Sequence, residues 1–183
     1  MPITKELHAP DANQVELRSL STSAFCHTGD VVFHKNLVWT GGPNTCIVVM
    51  ARTRSSMFCW HFASDDALDD DKMEFVRGQL AGLQLKKASF FLVLGVDRDP
   101  KTWDLKPECR SMVYRPGKDP TASRKFFVNF MQQFEWFHNI EIMPPPNHSR
   151  EFIVFRREFA QPLYVRDDNF FNITCTLDAE LMT

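Results

Sequence analysis

A cysteine and a histidine lie in two apolar runs that are close together in the chain. Cys46 opens the first run, 46–50, and His61 lies near the end of the second run, 57–62. A thiol becomes a useful nucleophile when a base takes its proton, and histidine is the usual partner because its pKa lies near neutrality. These residue types therefore predict a thiol–imidazole pair, provided that the fold brings the two side chains together.

A polar turn at 52–56 separates the runs, so the stretch predicts a β-hairpin with the thiol on its first strand and the imidazole on its second. Opposing residues on paired strands lie about 5 Å apart, so contact between Cys46 and His61 depends on the register. A slip of one residue would turn His61 to the other face of the sheet. Upstream, Thr40 precedes the breaker cluster 41–44, which predicts a sharp turn just before Cys46.

The other thiols and imidazoles are weaker candidates. Cys26 and His27 are adjacent, and neighbouring strand residues point to opposite faces, so we expect no dyad between them. Cys59 lies two residues before His61 and should share its strand face, where packing is its expected role. His34 lies in a strand-like segment, and we expect a core or surface role for it rather than a place at the site.

A run of aspartates follows the second apolar run, at positions 65, 66, 69, 70 and 71. Its spacing matches no calcium-binding loop, and a helix N-terminus explains it, so we expect no metal site. Asp65 or Asp66 is an alternative partner that would orient His61. Asn147 and Asn172 match the N-glycosylation pattern, which means little without a secretory signal.

The composition is that of a globular chain, with 183 residues of which 44% are hydrophobic, and it predicts one domain spanning 1–183. A formal net charge of −2 gives no reason to expect nucleic acid or a membrane as a partner. The five cysteines include no CxxC pair, so we expect reduced thiols in a cytosolic setting. The first ten residues do not resemble a signal peptide, which predicts a cytoplasmic protein or export by another route.

Hydrophobic periodicity and breakers predict the elements that must position these residues. Two helices are expected, over 70–84 and over 119–138, the second with Asp119 as N-cap and Pro120 at its first position. Besides the hairpin, strands are expected at 15–20, 30–36 with an extension to 39, 88–96, 111–114, 151–159, 162–165 and 169–177. This order predicts an α+β fold, a mostly antiparallel sheet or sandwich flanked by two main helices.

Thr40, Cys46 and His61, with the strand pattern around them, resemble the motif of the cysteine-dependent glutamine deamidases, over about residues 30–96. That group includes the bacterial chemoreceptor glutamine deamidases, the catalytic domains of the cytotoxic necrotizing factors and Burkholderia lethal factor. The resemblance implies a β-sandwich with flanking helices, Cys46 as nucleophile, His61 as base, Thr40 as the residue that orients the imidazole, and no cofactor. A turn residue that caps a strand is the alternative role for Thr40.

The resemblance also implies the reaction, in which Cys46 attacks a glutamine of a protein substrate and a thioester is then hydrolysed. Backbone N–H groups around Cys46 would hold the oxyanion. Where the family has a small pair such as Ser-Gly directly before the cysteine, this chain has Pro43, Asn44 and Thr45. Either the side chain of Asn44 or Thr45 replaces the donor, or the site is altered.

Three kinds of function follow from these patterns. The first is deamidation of a protein glutamine, by an effector or toxin acting in a host cytosol. A thiol protease or a transglutaminase can use the same pair. A non-catalytic binding domain would only pack Cys46 and His61, and a packed thiol is inert, whereas an enzyme needs a reachable one.

Overall fold

The computed structural model describes residues 20–63, 69–81, 89–112, 124–133, 140–146 and 151–166. Within these ranges the chain forms strands and two α-helices, which confirms the predicted α+β class with a mostly antiparallel sheet core. The elements are β1 (Val31–His34), β2 (Leu37–Gly41), β3 (Ile47–Arg52), β4 (Met57–Phe62), α1 (Asp70–Ala81), β5 (Ser89–Leu94), α2 (Arg124–Gln132), β6 (Ile140–Met143), β7 (Glu151–Arg156) and β8 (Leu163–Arg166).

The strands form two sheets. The larger has the order β1-β4-β3-β5-β6, and the smaller has the order β2-β7-β8. All neighbouring strands are antiparallel except β5 and β6, which run parallel. The segment between β5 and β6 contains α2, the kind of crossover that a parallel pair requires.

Alternation along the strands divides the core into layers. In β3, Val48 and Met50 point into the layer between the two sheets, where they pack with Ile153 of β7. Val49 and Ala51 point the other way, toward a layer shared with the two helices. Each residue of β3 from 47 to 51 is fully buried, because both faces of this central strand are covered.

The predicted hairpin is confirmed by the pairing of β3 with β4. Thr53 closes the connecting turn, since its N–H and its hydroxyl both donate to the carbonyl of Ser56, each at 2.9 Å. Val48 lies opposite His61. The strand begins at Ile47, so Cys46 stands directly before β3 rather than on it.

The predicted extension of the preceding strand through 37–39 is wrong. Leu37 instead begins β2, which belongs to the other sheet. The chain turns where His34 Nδ1 accepts hydrogen bonds from the N–H groups of Asn36 and Leu37, both at 3.3 Å. His34 therefore closes a corner that carries the chain from one sheet to the other.

Three further differences from the expected elements appear. The strand expected at 111–114 is wrong for the part that the structure describes, because residues 111 and 112 end a 3₁₀ helix that begins at Pro107. Strand β6 was not expected, since its four residues directly precede the proline run 144–146. β7 ends at Arg156, three residues earlier than predicted, because the chain then turns.

Several predictions fall outside the described residues. These are the strands at 15–19 and 169–177, the helix residues 82–84, 119–123 and 134–138, and Asp65, Asp66, Asn147, Asn172 and Cys175. Neither described helix is long and apolar enough to cross a membrane.

Candidate active site

A cleft of about 420 Å³ opens where the ends of β2 and β4 meet the residues that precede β3. Its walls are residues 25–28 and 40–46, together with His61 and Phe152. The structure thus brings to one cleft every residue for which the sequence predicts a site role, namely Thr40, Asn44, Thr45, Cys46 and His61.

The hairpin register puts the imidazole on the side of the thiol. His61 lies opposite Val48, and Val48 is two residues from Cys46. Because residues two apart along an extended chain share a face, continuing the alternation of β3 by one position places Cys46 on the face of His61. His61 is only 4% exposed, whereas Cys46 is partly exposed. His61 therefore lies deep, and Cys46 is the more exposed of the two residues.

A hydroxyl from the other sheet fixes the orientation of His61. Thr40 Oγ1 donates to the carbonyl of Cys26 at 2.6 Å, and it lies 2.6 Å from His61 Nδ1. The hydroxyl has one proton, which the carbonyl takes because a carbonyl can only accept. His61 Nδ1–H must then donate to Thr40 Oγ1. This arrangement selects the tautomer with its lone pair on Nε2, which is the form that can take a proton from a thiol.

The other nitrogen of His61 is available for chemistry. Nε2 is buried and has no hydrogen-bond partner among the described residues. Burial and, to a lesser extent, the charge of His27 together lower the pKa of His61 from 6.5 to about 4. At neutral pH the ring is therefore an uncharged base.

The depressed pKa makes stability depend on pH. Between pH 4 and 6.5 the unfolded chain binds the proton at His61 more readily than the folded chain does, so stability falls as pH falls through this window. We expect the free energy of unfolding to drop by about 2–3 kcal/mol from pH 7 to pH 4.5 on account of this residue. Urea titrations at both pH values measure it. His61→Gln should lose that part of the pH dependence, and an unchanged dependence would contradict the assignment to His61.

Residues 26–30 hold His61 in place through its backbone. The N–H of Gly29 donates to the carbonyl of His61 at 2.7 Å, and the N–H of His61 donates to the carbonyl of Asp30 at 3.1 Å. Gly29 has a φ of 88°, a conformation that favours glycine. No sequence pattern assigned this segment to the site, and its one available signal was the Thr-Gly-Asp turn at 28–30, beside Cys26 and His27.

The loop that carries Cys46 is held from behind by 95–98. Four successive carbonyls accept hydrogen bonds from this segment. The carbonyl of Pro43 accepts from the N–H of Val96 at 3.3 Å, and that of Asn44 from the N–H of Asp97 at 3.0 Å. The carbonyl of Thr45 accepts from Arg98 Nε at 2.6 Å, and that of Cys46 from the N–H of Gly95 at 3.0 Å. In a trans peptide the N–H that follows a carbonyl points the opposite way. The N–H groups of residues 44–46 therefore point away from 95–98.

Gly95 allows this close approach. A Cβ at this position would collide with the carbonyl of Asn44 and lie 2.8 Å from the carbonyl oxygen of Cys46. Gly95 was also missed from the sequence, although an isolated glycine in an apolar strand is a signal of close backbone approach.

We expect Gly95→Ala to lower the free energy of unfolding by about 1–3 kcal/mol, because the added methyl group must displace backbone atoms. The matched control is Gly78→Ala in α1, where a Cβ meets nothing within 4 Å. That change should stabilise the protein by up to about 1 kcal/mol through helix propensity. Urea unfolding measures both changes, and similar effects at the two sites would contradict the close packing of 43–46 on Gly95.

The remaining candidates are buried or lie away from Cys46 and His61. Cys26 and Cys59 are fully buried, and burial together with the neighbouring Cys26 raises the pKa of Cys59. His34 pairs with Met57, at the opposite end of β4 from His61. Asp69 caps α1, since its Oδ1 accepts the N–H of Lys72 at 3.0 Å. Among the described residues no group of three acidic, histidine or cysteine side chains is placed to hold a metal ion.

Comparison with known proteins adds no family assignment. No protein-family model matches this chain, and no curated protein matches it.

Proposed function

We propose that this protein is a cysteine hydrolase that deamidates a glutamine side chain of a protein substrate. Cys46 is the nucleophile, His61 is the general base and Thr40 positions the imidazole. One observation carries the proposal. The hydroxyl of Thr40 donates its proton to the carbonyl of Cys26, so the lone pair of His61 is left on Nε2, and His61 and Cys46 line the same cleft.

The first half of the reaction exchanges an amide for a thioester. The sulfur of Cys46 bonds to the side-chain carbonyl carbon of glutamine while its proton moves to His61 Nε2. The tetrahedral intermediate then collapses, the carbon–nitrogen bond breaks, and the leaving nitrogen takes the proton from His61 and departs as ammonia. The low pKa of His61 favours this last transfer, because a buried imidazolium gives up its proton readily.

The second half restores the thiol. Water gives a proton to His61 Nε2 as its oxygen bonds to the thioester carbon. The carbon–sulfur bond breaks, the sulfur recovers the proton, and glutamate remains on the substrate. The balance is one water consumed and one ammonia released, and the reaction needs no oxidant, metal or cofactor.

The loop before the nucleophile supplies the oxyanion donors in this proposal. The peptide N–H groups of residues 44–46 point away from 95–98, and these residues line the cleft. A fixed donor aimed at a developing oxyanion contributes about 3–4 kcal/mol to catalysis. Asn44 can add its side-chain amide, and Thr45 its hydroxyl, where the related deamidases have smaller residues.

Alkylation of the cysteines tests the reactive pair without a known substrate. The native protein is treated with iodoacetamide from pH 5.5 to 8, and the modified positions are followed by peptide mass spectrometry. We expect Cys46 to react about tenfold faster than Cys26, Cys59 and Cys109, and to lose most of that lead in His61→Ala. Exposure alone would also favour Cys46, so the loss in the variant is the decisive result.

His34→Asn is the matched control, since it removes a distant imidazole and keeps an acceptor for the corner turn. It should leave the reaction of Cys46 with iodoacetamide unchanged. A rate at Cys46 that is the same with and without His61 would favour the non-catalytic binding domain. Incubation with glutamine peptides then detects the product as a mass gain of about 1 Da and as ammonia.

A further inference from the structure

Nothing in the packing of the protein requires a glycine at position 41. Its φ is not in the left-handed region, and a Cβ built on it meets nothing within 4 Å. It lies at the end of β2 and lines the cleft directly after Thr40. A glycine in a strand commonly marks the place where another backbone approaches closely.

The backbone of Gly41 points to the open side of β2. β2 is an edge strand among the described strands, paired on one side with β7. On that side the N–H of Gly42 donates to the carbonyl of Glu151 at 2.6 Å. Neighbouring residues of a strand point their backbone groups in opposite directions. The N–H and C=O of Gly41 therefore point away from β7.

A short backbone pairing already exists on this open side. The carbonyl of Trp39 accepts the N–H of Cys26 at 2.8 Å, and Phe25 forms a parallel bridge with Trp39. Within the described ranges this pairing stops at Trp39, and the cleft begins at the next outward-facing residue, Gly41. The position where the next pair would form is thus open to a ligand.

We propose that the substrate is an extended peptide segment whose backbone pairs with Gly41 as an added strand. This inference rests on the proposed function and specifies its substrate class, which is glutamine within an accessible extended segment rather than free glutamine. Addition of a strand to a sheet edge supplies affinity through main-chain hydrogen bonds and leaves the side chains to give specificity.

The alternation of the added strand would place the reactive side chain. The side chain of Thr40 points toward His61, whereas Gly41 belongs to the opposite face of β2. Residues directly opposite each other on paired strands share a face. A substrate residue level with Thr40 or Gly42 therefore sends its side chain toward His61 and Cys46, so the glutamine should lie next to the residue that pairs with Gly41.

Protection of Cys46 from iodoacetamide tests the inference as a binding measurement. The probe is a pool of acetylated, amidated pentapeptides with glutamine at the centre and mixed residues around it, compared with free glutamine. We expect the pool to slow alkylation of Cys46 about fivefold or more, and free glutamine to have little effect, because only the peptide offers a backbone to pair. No protection by the pool, or equal protection by free glutamine, would overturn the inference.

Variants at Gly41 locate the contact. Gly41→Pro removes the N–H at an outward-facing edge position, where proline is tolerated, and should abolish protection by the pool. Gly41→Ala keeps the N–H but adds a methyl group at the place of close approach, so it should keep part of the protection that Gly41→Pro loses. If the pool protects Cys46 equally in the two variants, the peptide does not pair with the backbone of Gly41.

A second probe covers the case in which Gly41→Pro does not fold. The same pool with N-methylated backbone amides, tested on the unaltered protein, should give no protection, and full protection by it would overturn the inference. These results do not depend on turnover. If replacing His61 does not slow the alkylation of Cys46, but the peptide pool still protects Cys46, the proposed function is rejected and peptide binding is retained.

Discussion

Cys46→Ala and His61→Gln should each reduce deamidation of glutamine peptides by about 10³-fold or more, because each removes one half of the proton-transfer pair. The double variant should be no slower than the worse single variant, since residues that act as one unit show strongly non-additive effects. Ammonia release at saturating peptide measures the rates. Additive losses would indicate that the two side chains act independently.

Cys109→Ser is the matched control for these rates. Cys109 is buried in the 3₁₀ helix 107–112 and does not line the cleft. Its replacement should leave the rate near that of the unaltered protein. A comparable loss at Cys109 would mean that the Cys46 effect reflects general destabilisation rather than chemistry.

Thr40→Val should lower turnover by about 10²-fold, because the base then loses the acceptor that selects its tautomer. The valine keeps the shape of threonine but leaves His61 Nδ1–H and the Cys26 carbonyl without the buried hydroxyl that binds both. The loss of these two hydrogen bonds also lowers the free energy of unfolding, by about 1–3 kcal/mol in total. Thermal unfolding and ammonia release follow the two effects separately.

Thr40→Ser separates positioning from packing. Serine keeps the hydroxyl and should retain most of the rate, although it loses a buried methyl group. If serine and valine lose the same rate, the hydroxyl does not orient His61. A further fall of the His61 pKa in Thr40→Val, followed by NMR of the ring, would support the role of this hydrogen bond, because valine cannot accept the Nδ1–H that the charged ring must donate.

The hairpin was predictable because its signals are local. Two apolar runs around a polar turn define β3 and β4, and their pairing fixes His61 opposite Val48. The breaker cluster before Cys46 likewise predicted a turn at the cleft wall. The catalytic roles of Cys46, His61 and Thr40 stay predictions, and what the structure adds is their placement around one cleft.

The hydrogen bonds that hold the site in place were not predictable from local sequence patterns, because they join segments that are distant in the sequence. The hydrogen bonds from 95–98 to 43–46 depend on where β5 ends relative to β3. The contact between Thr40 and His61 was expected only from the motif resemblance, because it depends on the corner at His34, which moves β2 into the other sheet. Periodicity describes each strand alone and contains no information on which sheet receives it.

The partner that orients His61 is a hydroxyl rather than a carboxylate, and this has a consequence for the resting state of the proposed pair. A carboxylate at Nδ1 would favour a charged imidazolium and so a standing thiolate, as in many thiol enzymes. A neutral hydroxyl in a buried position favours an uncharged pair, in which His61 takes the proton only as the sulfur bonds to an electrophile, whether that is substrate or iodoacetamide. Since peroxides attack thiolates, such a nucleophile should be oxidised more slowly than a thiolate held in a permanent ion pair.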